Sequence, residues 1–336
     1  MPLSGIPSYY RAGMKSKLIT VIPVYNGEKF IVQTLESVAR QTLRPDRVLV
    51  IDNCSTDNTK LQVKEFSAIR CEWHQNPSNL GLFGNCNRAL EFADQTEYLH
   101  ILHADDMIEP DYYETLIRAL DGCEGLALAF CLDERIDENN QRLSLSGKPT
   151  GQVKEIPIDR YLGLKAEIGN QAFSGTLLKT NYQKTPCQFR MDMPILADMI
   201  FWSDWGRHCR KVVKVHRPLS KYRWHGENTT TSFVPGIQAL VLDEWVVMQT
   251  VERFRDGAAS WLRWLKLKGL FAVRSGIKAK RFRERGNKAY ADEIVAAVKK
   301  ISGPWIWWMA QGLVHARDLL VYGIMGRRKH PKNVYS

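Results

Sequence analysis

From Lys17 onward, short apolar runs alternate with longer stretches in which apolar residues recur at helical spacing. That alternation is the signature of βαβ units building a mostly parallel sheet. KLITVIPVYN (17–26) is a β-branched run closed by Pro and Asn, which predicts a strand. In the following EKFIVQTLESVARQTL, residues Phe30, Ile31, Thr34, Leu35, Val38 and Leu43 fall near helical spacing. Residues 48–51 predict a second strand, ending in acid and small polar residues, with a helix from about Thr59. Residues 98–102 predict a third, and Pro110 sits where the next helix begins. Residues 131–157 turn polar and glycine-containing, which predicts an irregular excursion with short antiparallel strands. Beyond Phe233 the chain becomes long amphipathic helical stretches rich in Trp, Arg and Lys. The expected fold class is therefore α/β, a Rossmann-like, mostly parallel sheet flanked by helices, with a C-terminal helical appendage. The expected divisions are an N-terminal extension (1–16), an α/β domain (17–232) and a basic, Trp-rich helical region (233–336).

In open α/β sheets ligands collect at the carboxyl ends of the strands. Three post-strand loops, 23–26, 52–57 and 103–106, should therefore line one crevice. In the third, Asp105 and Asp106 offer hard carboxylate oxygens that suit Mg2+ or Mn2+, ions able to bridge two phosphates. Acids also favour a helix N-terminus, and a helix follows here. The apolar strand before the pair and the matching acidic loop at Asp52 favour the metal reading. Asp52 can accept a hydrogen bond from the imide N–H of uracil or thymine, and Asn53 and Ser55 have the reach for base or ribose. The same residue types also serve as turn and capping groups in any loop.

Together PVYN (23–26), VIDNCSTDNT (50–59), NPSNLGLFGNCNRAL (76–90), LHADDMIEPDYY (102–113) and YRWHGENTT (222–230) resemble the family-two inverting glycosyltransferases of the GT-A fold. The match runs in order over about residues 17–232. The resemblance implies that Pro23, Tyr25, Asn26, Asp52 and Asn53 hold the nucleotide, alongside Ser55, with Asn79, Gly81 and Asn87 shaping the pocket. It implies that Asp105 and Asp106 form a D-x-D-type metal site, although many members carry Asp where this chain has His103. It places the general base at Asp198 in LADMIFWSDWGRH, with Asp204 as the second candidate; Asp204 also has Arg207 within an i,i+3 step. Arg223 and His225 resemble the segment that closes over the diphosphate, with His225 as a third metal ligand or phosphate donor. Two residues apart on an extended stretch, both would face one way. The stretch 169–178 resembles the part that meets donor sugar and acceptor, which points to Ser174 and Gly175. The implied reaction is a single in-line displacement at the anomeric carbon, moving a sugar from a nucleoside-diphosphate sugar to a saccharide hydroxyl with inversion. A nucleotidyltransferase would carry a Gly-rich, basic loop after its first strand, and PVYNGEKF is not one. A non-catalytic membrane-bound scaffold would need neither the acidic pair nor Asp198.

Charge changes the picture mainly at the C-terminus. The net charge is +11, but from Arg253 onward there are 19 Lys and Arg against 5 Asp and Glu, leaving residues 1–252 at −3. Nucleic-acid binding is therefore not expected of the α/β portion. The seven cysteines are odd in number and never spaced C-x-x-C, which argues against zinc or a disulfide framework and for a reducing compartment. The first 17 residues hold no apolar run of the kind a signal peptide needs, so a cytoplasmic location is expected. In PWIWWMAQGLVHARDLLVYGIM (304–325), Gln311, His315, Asp318 and Tyr322 share a narrow stripe and nearly everything else is apolar. A spanning helix would have to bury Arg317 and Asp318, at about 2.5–3.5 kcal/mol each, so lying in the interface costs less. Trp305, Trp307 and Trp308 suit the headgroup boundary, and the basic clusters KAKRFRER (278–285) and RRK (327–329) suit anionic lipid. The expectation is peripheral attachment to the inner face of the cell membrane, with a lipid-linked saccharide as acceptor.

Overall fold

The structure is a computed structural model that describes residues 16–166, 171, 173–226, 236–256 and 261–324, without the side chains of 166, 255–256 and 316–324. The first half alternates as the sequence pattern predicts: β1 (Ser16–Val24), α1 (Ile31–Ala39), β2 (Arg47–Asp52), α2 (Thr59–Glu65), β3 (Cys71–Gln75), α3 (Gly81–Leu90), β4 (Thr96–Ile101). A two-residue strand β5 (Met107–Ile108) and α4 (Tyr112–Ala119) follow. The strands β3, β2, β1 and β4 lie in that order and are all parallel. Every β1 residue except Lys17 is buried, as a parallel strand covered on both faces should be. Ile19 and Val21 point into one core with Leu49, Leu99 and α3, while Leu18 and Ile22 point into the other with Val48, Tyr98, α1 and α4.

The second half departs from a purely parallel plan. β6 (Ala127–Ile136), β7 (Arg142–Leu145), β8 (Val153–Glu155), α5 (Ile158–Ala166), β9 (Thr176–Lys179), α6 (Ala197–His208) and β10 (Lys211–Arg223) complete the α/β layer. β9 slots antiparallel between β4 and β6, while β6 and β10 run parallel to each other. The excursion expected over 131–157 is shorter than its sequence suggests. Residues 131–136 continue a ten-residue strand whose polar end, Asp133 to Arg135, is held by pairing with β10; only β7 and β8 are the short antiparallel pieces.

Four helices follow: α7 (Gly236–Asp256), α8 (Trp261–Glu284), α9 (Lys288–Ser302) and α10 (Pro304–Ile324). α7 belongs to both layers. Its Val247 and Val251 join the core beside α6, and its Ile237, Val241, Trp245 and Met248 join a third core made with α8, α9 and α10. Asp243 on α7 accepts the backbone N–H groups of Ile195 and Leu196, both at 2.9 Å, just before α6 begins. Helix α9 starts at Asn287, whose side chain accepts from Tyr290 N–H, and ends at Gly303, where φ is 86°. Among the described residues no helix is long and apolar enough to cross a membrane.

Candidate functional site

Because β1, β2 and β4 are parallel neighbours, their following loops emerge on the same edge of the sheet. The first two loops are sewn together. Asn26 takes a positive φ of 51° that aims its N–H at Ser55 Oγ (2.9 Å), while its Oδ1 accepts the Thr56 N–H (2.9 Å). Asparagine tolerates that backbone region better than most side chains. Gly27 N–H donates to Thr59 Oγ1 at 2.8 Å. The third loop is joined by Thr34 on α1, whose hydroxyl reaches the carbonyls of Ala104 and Asp106, each at 2.8 Å. The three loops expected from sequence to line one crevice are thus joined as one hydrogen-bonded unit.

Within it, Pro23 is buried in β1 opposite Ile51, and Tyr25 projects into solvent with half its surface exposed. Asp52 is buried, and its Oδ1 accepts the Ser55 N–H at 3.0 Å, which fixes the loop. Asn53 was expected to touch base or ribose, but its amide braces the pocket instead. Its Oδ1 accepts from Leu80 N–H (2.8 Å) and Asn76 Nδ2 (3.1 Å), and its Nδ2 donates to Asn79 Oδ1 (2.8 Å) and Gly81 O (3.2 Å). Gly81, with φ at 73°, opens α3 at that point. Asn87 lies farther along α3 and exchanges hydrogen bonds with the Phe189 backbone at 2.8 and 2.9 Å, tying α3 to the segment that leads into α6.

At the third loop, His103, Asp105 and Asp106 each present a ligand atom within 4.8 Å of one another. The carboxylate oxygens of this set suit Mg2+ or Mn2+. The two acids have different surroundings. Asp106 is buried, with Oδ1 accepting the Arg223 N–H (2.9 Å) and Oδ2 accepting the Ser174 hydroxyl (2.6 Å). Burial and the neighbouring Asp105 charge push its carboxyl well above the usual carboxylate range. Asp105 is more open and meets His225 Nε2 at 3.0 Å through Oδ2. Burial pushes Asp105 up too, but the His225 hydrogen bond and the His103 and His225 charges outweigh it and hold the carboxyl low. His103 stacks on Phe173 with ring centroids 4.2 Å apart, and its buried Nε2 has no hydrogen-bond partner among the described residues. An orphaned imidazole nitrogen beside a low-lying carboxylate is a donor set that a divalent ion would satisfy.

Two residues expected at the ligand act from behind the loop. Arg223 is fully buried, not laid over a diphosphate. Its Nε donates to Asp105 O (2.8 Å), Nη1 to Asn140 Oδ1 (2.7 Å) and Nη2 to Gln33 Oε1 (3.0 Å), and its guanidinium lies 4.5 Å from the Phe30 ring centroid. Arg223 and His225 therefore do not present a common face to ligand: one grips the Asp105 backbone, the other its carboxylate. Ser174 is likewise buried, donating to Asp106 and accepting the His103 N–H at 3.1 Å, while Gly175 O accepts the Cys131 N–H at 3.0 Å. His100 fastens this corner from below. Burial pushes its imidazole down to about 4, so it stays neutral, and Nε2–H donates to Ser174 O at 2.9 Å.

Asp198 stands in the first turn of α6, and its Oδ1 is buried with no hydrogen-bond partner among the described residues. Burial pushes its carboxyl up to about 6, opposed by the nearby Lys165 cation on α5. Burial likewise pushes the Lys165 ammonium down to about 7, opposed by Asp198. Asp204 instead pairs with Arg207 Nε at 2.5 Å, the i,i+3 partner noted in the sequence. The supporting roles of Gln33, Thr34 and Lys165 were missed. None carries a sequence signal, since each is an ordinary polar position on a helix until the loops are brought against it. Residues 167–170, 172 and 227–235 and the 327–329 cluster lie outside the described residues.

A mixed sheet with its acidic loop behind the fourth strand, closed by a long last strand ending in Arg223, is the GT-A class of α/β fold. Residues 1–349 of S. aureus TarS, solved with UDP, share it: the TM-score is 0.51 at 15% identity, over 95% of this chain and 94% of that one. Residues 20–177 match the family model described as Glycosyl transferase family 2, so this segment of the chain is a domain of that family. An uncharacterized glycosyltransferase of Haemophilus influenzae is 26% identical over 219 residues, covering 63% of this chain and 67% of the relative. The UDP-Glc:alpha-D-GlcNAc-diphosphoundecaprenol beta-1,3-glucosyltransferase WfgD of Escherichia coli is 36% identical over 95 residues, covering 28% of this chain and 37% of the relative.

Proposed function

We propose that this chain transfers a sugar from a nucleoside-diphosphate sugar to a hydroxyl of a lipid-linked saccharide, with inversion and with the help of Mg2+ or Mn2+. The observation that carries the reading is the joining of the Asn26, Asp52 and Asp105 loops into one hydrogen-bonded unit, together with an orphaned buried carboxylate oxygen at Asp198. Tyr25, Asn26 and Asp52 hold the nucleotide, with Pro23, Asn53, Ser55, Asn79 and Gly81 fixing the loop that does so. Asp105, with His103 and His225 beside it, would hold the cation, which when bound would supply neutralisation of charge on the departing diphosphate. Asp106, Ser174 and Arg223 keep Asp105 in place.

Asp198 accepts the proton of the acceptor hydroxyl while that oxygen attacks the anomeric carbon from the face opposite the diphosphate, so the configuration inverts. A carboxyl shifted toward about 6 is a better base than an ordinary one and is still ionised at neutral pH. Support for a lipid-linked acceptor comes from the name of the WfgD relative, whose acceptor is a diphosphoundecaprenol-linked sugar. Such a substrate presents its saccharide at a membrane surface, which suits a protein attached to the inner face through its basic C-terminal helices. The direct test is a panel of nucleotide sugars with the purified chain, reading nucleoside diphosphate release with and without EDTA. Release of one diphosphate that EDTA stops and Mn2+ restores is expected. Release unaffected by EDTA would remove the metal, and no release from any donor would remove the reading.

A further inference from the structure

Helix α10 is apolar on two opposite faces, and only one of them is covered. Trp307, Ala310 and Val314 are buried in the core shared with α7, α8 and α9. Trp305, Trp308, Met309 and Leu313 form a second stripe at i, i+3, i+4 and i+8 spacing, with exposures of 82, 64, 73 and 64%. The headgroup role expected of all three tryptophans therefore divides, with Trp307 a core residue and the other two outside. Gln311, the polar residue between the faces, packs toward α8, where a Cβ on Gly276 would lie 2.5 Å from its Nε2. Ser302 Oγ lies 3.5 Å from Lys268 O, so α8 and α10 run side by side in the same direction. Within the two turns before Lys268, α8 exposes Trp261, Leu262 and Leu265.

Large exposed apolar stripes on a folded protein mark a contact surface. The charge around this one selects its occupant. Lys299 Nζ sits 5.6 Å over the Trp308 ring, Lys300 and Lys266 are exposed, and the chain from Arg253 onward carries the basic surplus. A second copy of the chain would bring two such surpluses together, whereas an anionic bilayer would neutralise one. Tryptophan at the rim with aliphatic side chains between is the composition that sits at the headgroup boundary. The cluster at 278–285 contributes less than its sequence suggests, because Lys278 pairs with Glu244, Lys280 with Glu284 and Arg283 with Asp292.

We infer that the outer stripe of α10, Trp305, Trp308, Met309 and Leu313, is the surface by which this chain docks on an anionic lipid bilayer. The inference deepens the reading of a membrane-presented acceptor and rests on it, yet is tested apart from catalysis. The full chain is floated with phosphatidylglycerol-containing vesicles and with pure phosphatidylcholine vesicles, at low and high salt. Wild type binds the anionic vesicles and loses binding with salt. The triple variant Trp305→Ser, Trp308→Ser, Met309→Ser binds about tenfold less or worse. Because these side chains are exposed, its circular dichroism and EDTA-sensitive donor hydrolysis in solution stay at wild-type levels. Trp305→Tyr with Trp308→Tyr, which keeps interfacial aromatics, retains most of the binding. Wild-type vesicle binding by the triple variant overturns the inference. So does a wild-type dimer in sedimentation that ignores vesicles and that the triple variant dissociates. Vesicle binding without any donor hydrolysis leaves the docking surface standing and removes the enzymatic reading instead.

Discussion

Asp106 is pushed well above the usual carboxylate range by burial and by Asp105, whereas Asp105 is held low by His225. Two acids adjacent in sequence therefore divide the work: one braces the loop through the Arg223 N–H and the Ser174 hydroxyl, the other stays ionised toward the crevice. Asp105→Asn is expected to remove EDTA-sensitive diphosphate release, a loss on the order of a hundredfold or more. Asp106→Asn, which can keep an acceptor for Arg223 and a polar partner for Ser174, is expected to retain measurable release. Equal loss in both variants would mean that both carboxylates touch the ion. Asp198 gives a second test at this scale. Its base role needs the ionised form, so transfer should fall as pH drops through about 6, while donor binding should not follow the same limb. Since its folded carboxyl lies above the ordinary value, its contribution to stability is present below the unfolded value near 4 and is lost as pH rises through 6. Asp198→Asn should keep donor binding by calorimetry yet lose transfer by about 10²–10⁴-fold. Full transfer by that variant would pass the role to Asp204, which is engaged with Arg207.

The element that carries Asp198 is held from outside the α/β layer. Asp243 on α7 takes the N–H groups of Ile195 and Leu196 immediately before α6, fixing where that helix starts. Asp243→Ala would leave two inward-facing donors unpaired, with an expected loss of about 1–3 kcal/mol in denaturant unfolding. Because the start of α6 shifts, transfer should drop more than donor hydrolysis; equal drops would show that Asp243 only stabilises. This coupling was not legible in the sequence, where Asp243 is one acid on an amphipathic helix. What was legible was local. The β-branched runs of β1 and β2 are followed by helices within a dozen residues, so period and turn chemistry suffice to place them. β3, with its partly exposed CEWHQ, and the four-residue β9 have too little apolar content to stand out; they exist because a neighbouring strand edge pairs them. For the same reason the sequence could name Arg223 and Ser174 but not foresee that both would lie behind the acidic loop.

At the scale of the whole molecule, the first helix after the compositional shift at 232/233 packs into two cores. The shift to basic, Trp-rich helices is real in the sequence, yet α7 contributes Val247 and Val251 to the core around α6 and its other face to the core of α8–α10. α5 and α6 pack against α7, so the segment carrying the candidate base is sandwiched between the sheet and the first appended helix. A chain ending at residue 232 would uncover the apolar residues of α6 and strip the partners from the Ile195 and Leu196 N–H groups. It is expected to melt at least roughly 5 °C below the full chain, or to aggregate, since a loss of only a few kcal/mol moves the midpoint by that much in a domain of this size. Donor hydrolysis per folded molecule should fall with it. Ending the chain at 302 instead removes α10 and the residues after it, with Trp307, Ala310 and Val314 lost from the third core. That chain should keep most donor hydrolysis, because its missing contacts lie on the far side of α7 from α6. If thermal denaturation found the 232 chain as stable as the full chain and fully active, the helices would be an independent appendage and α7 would have no part in building the site.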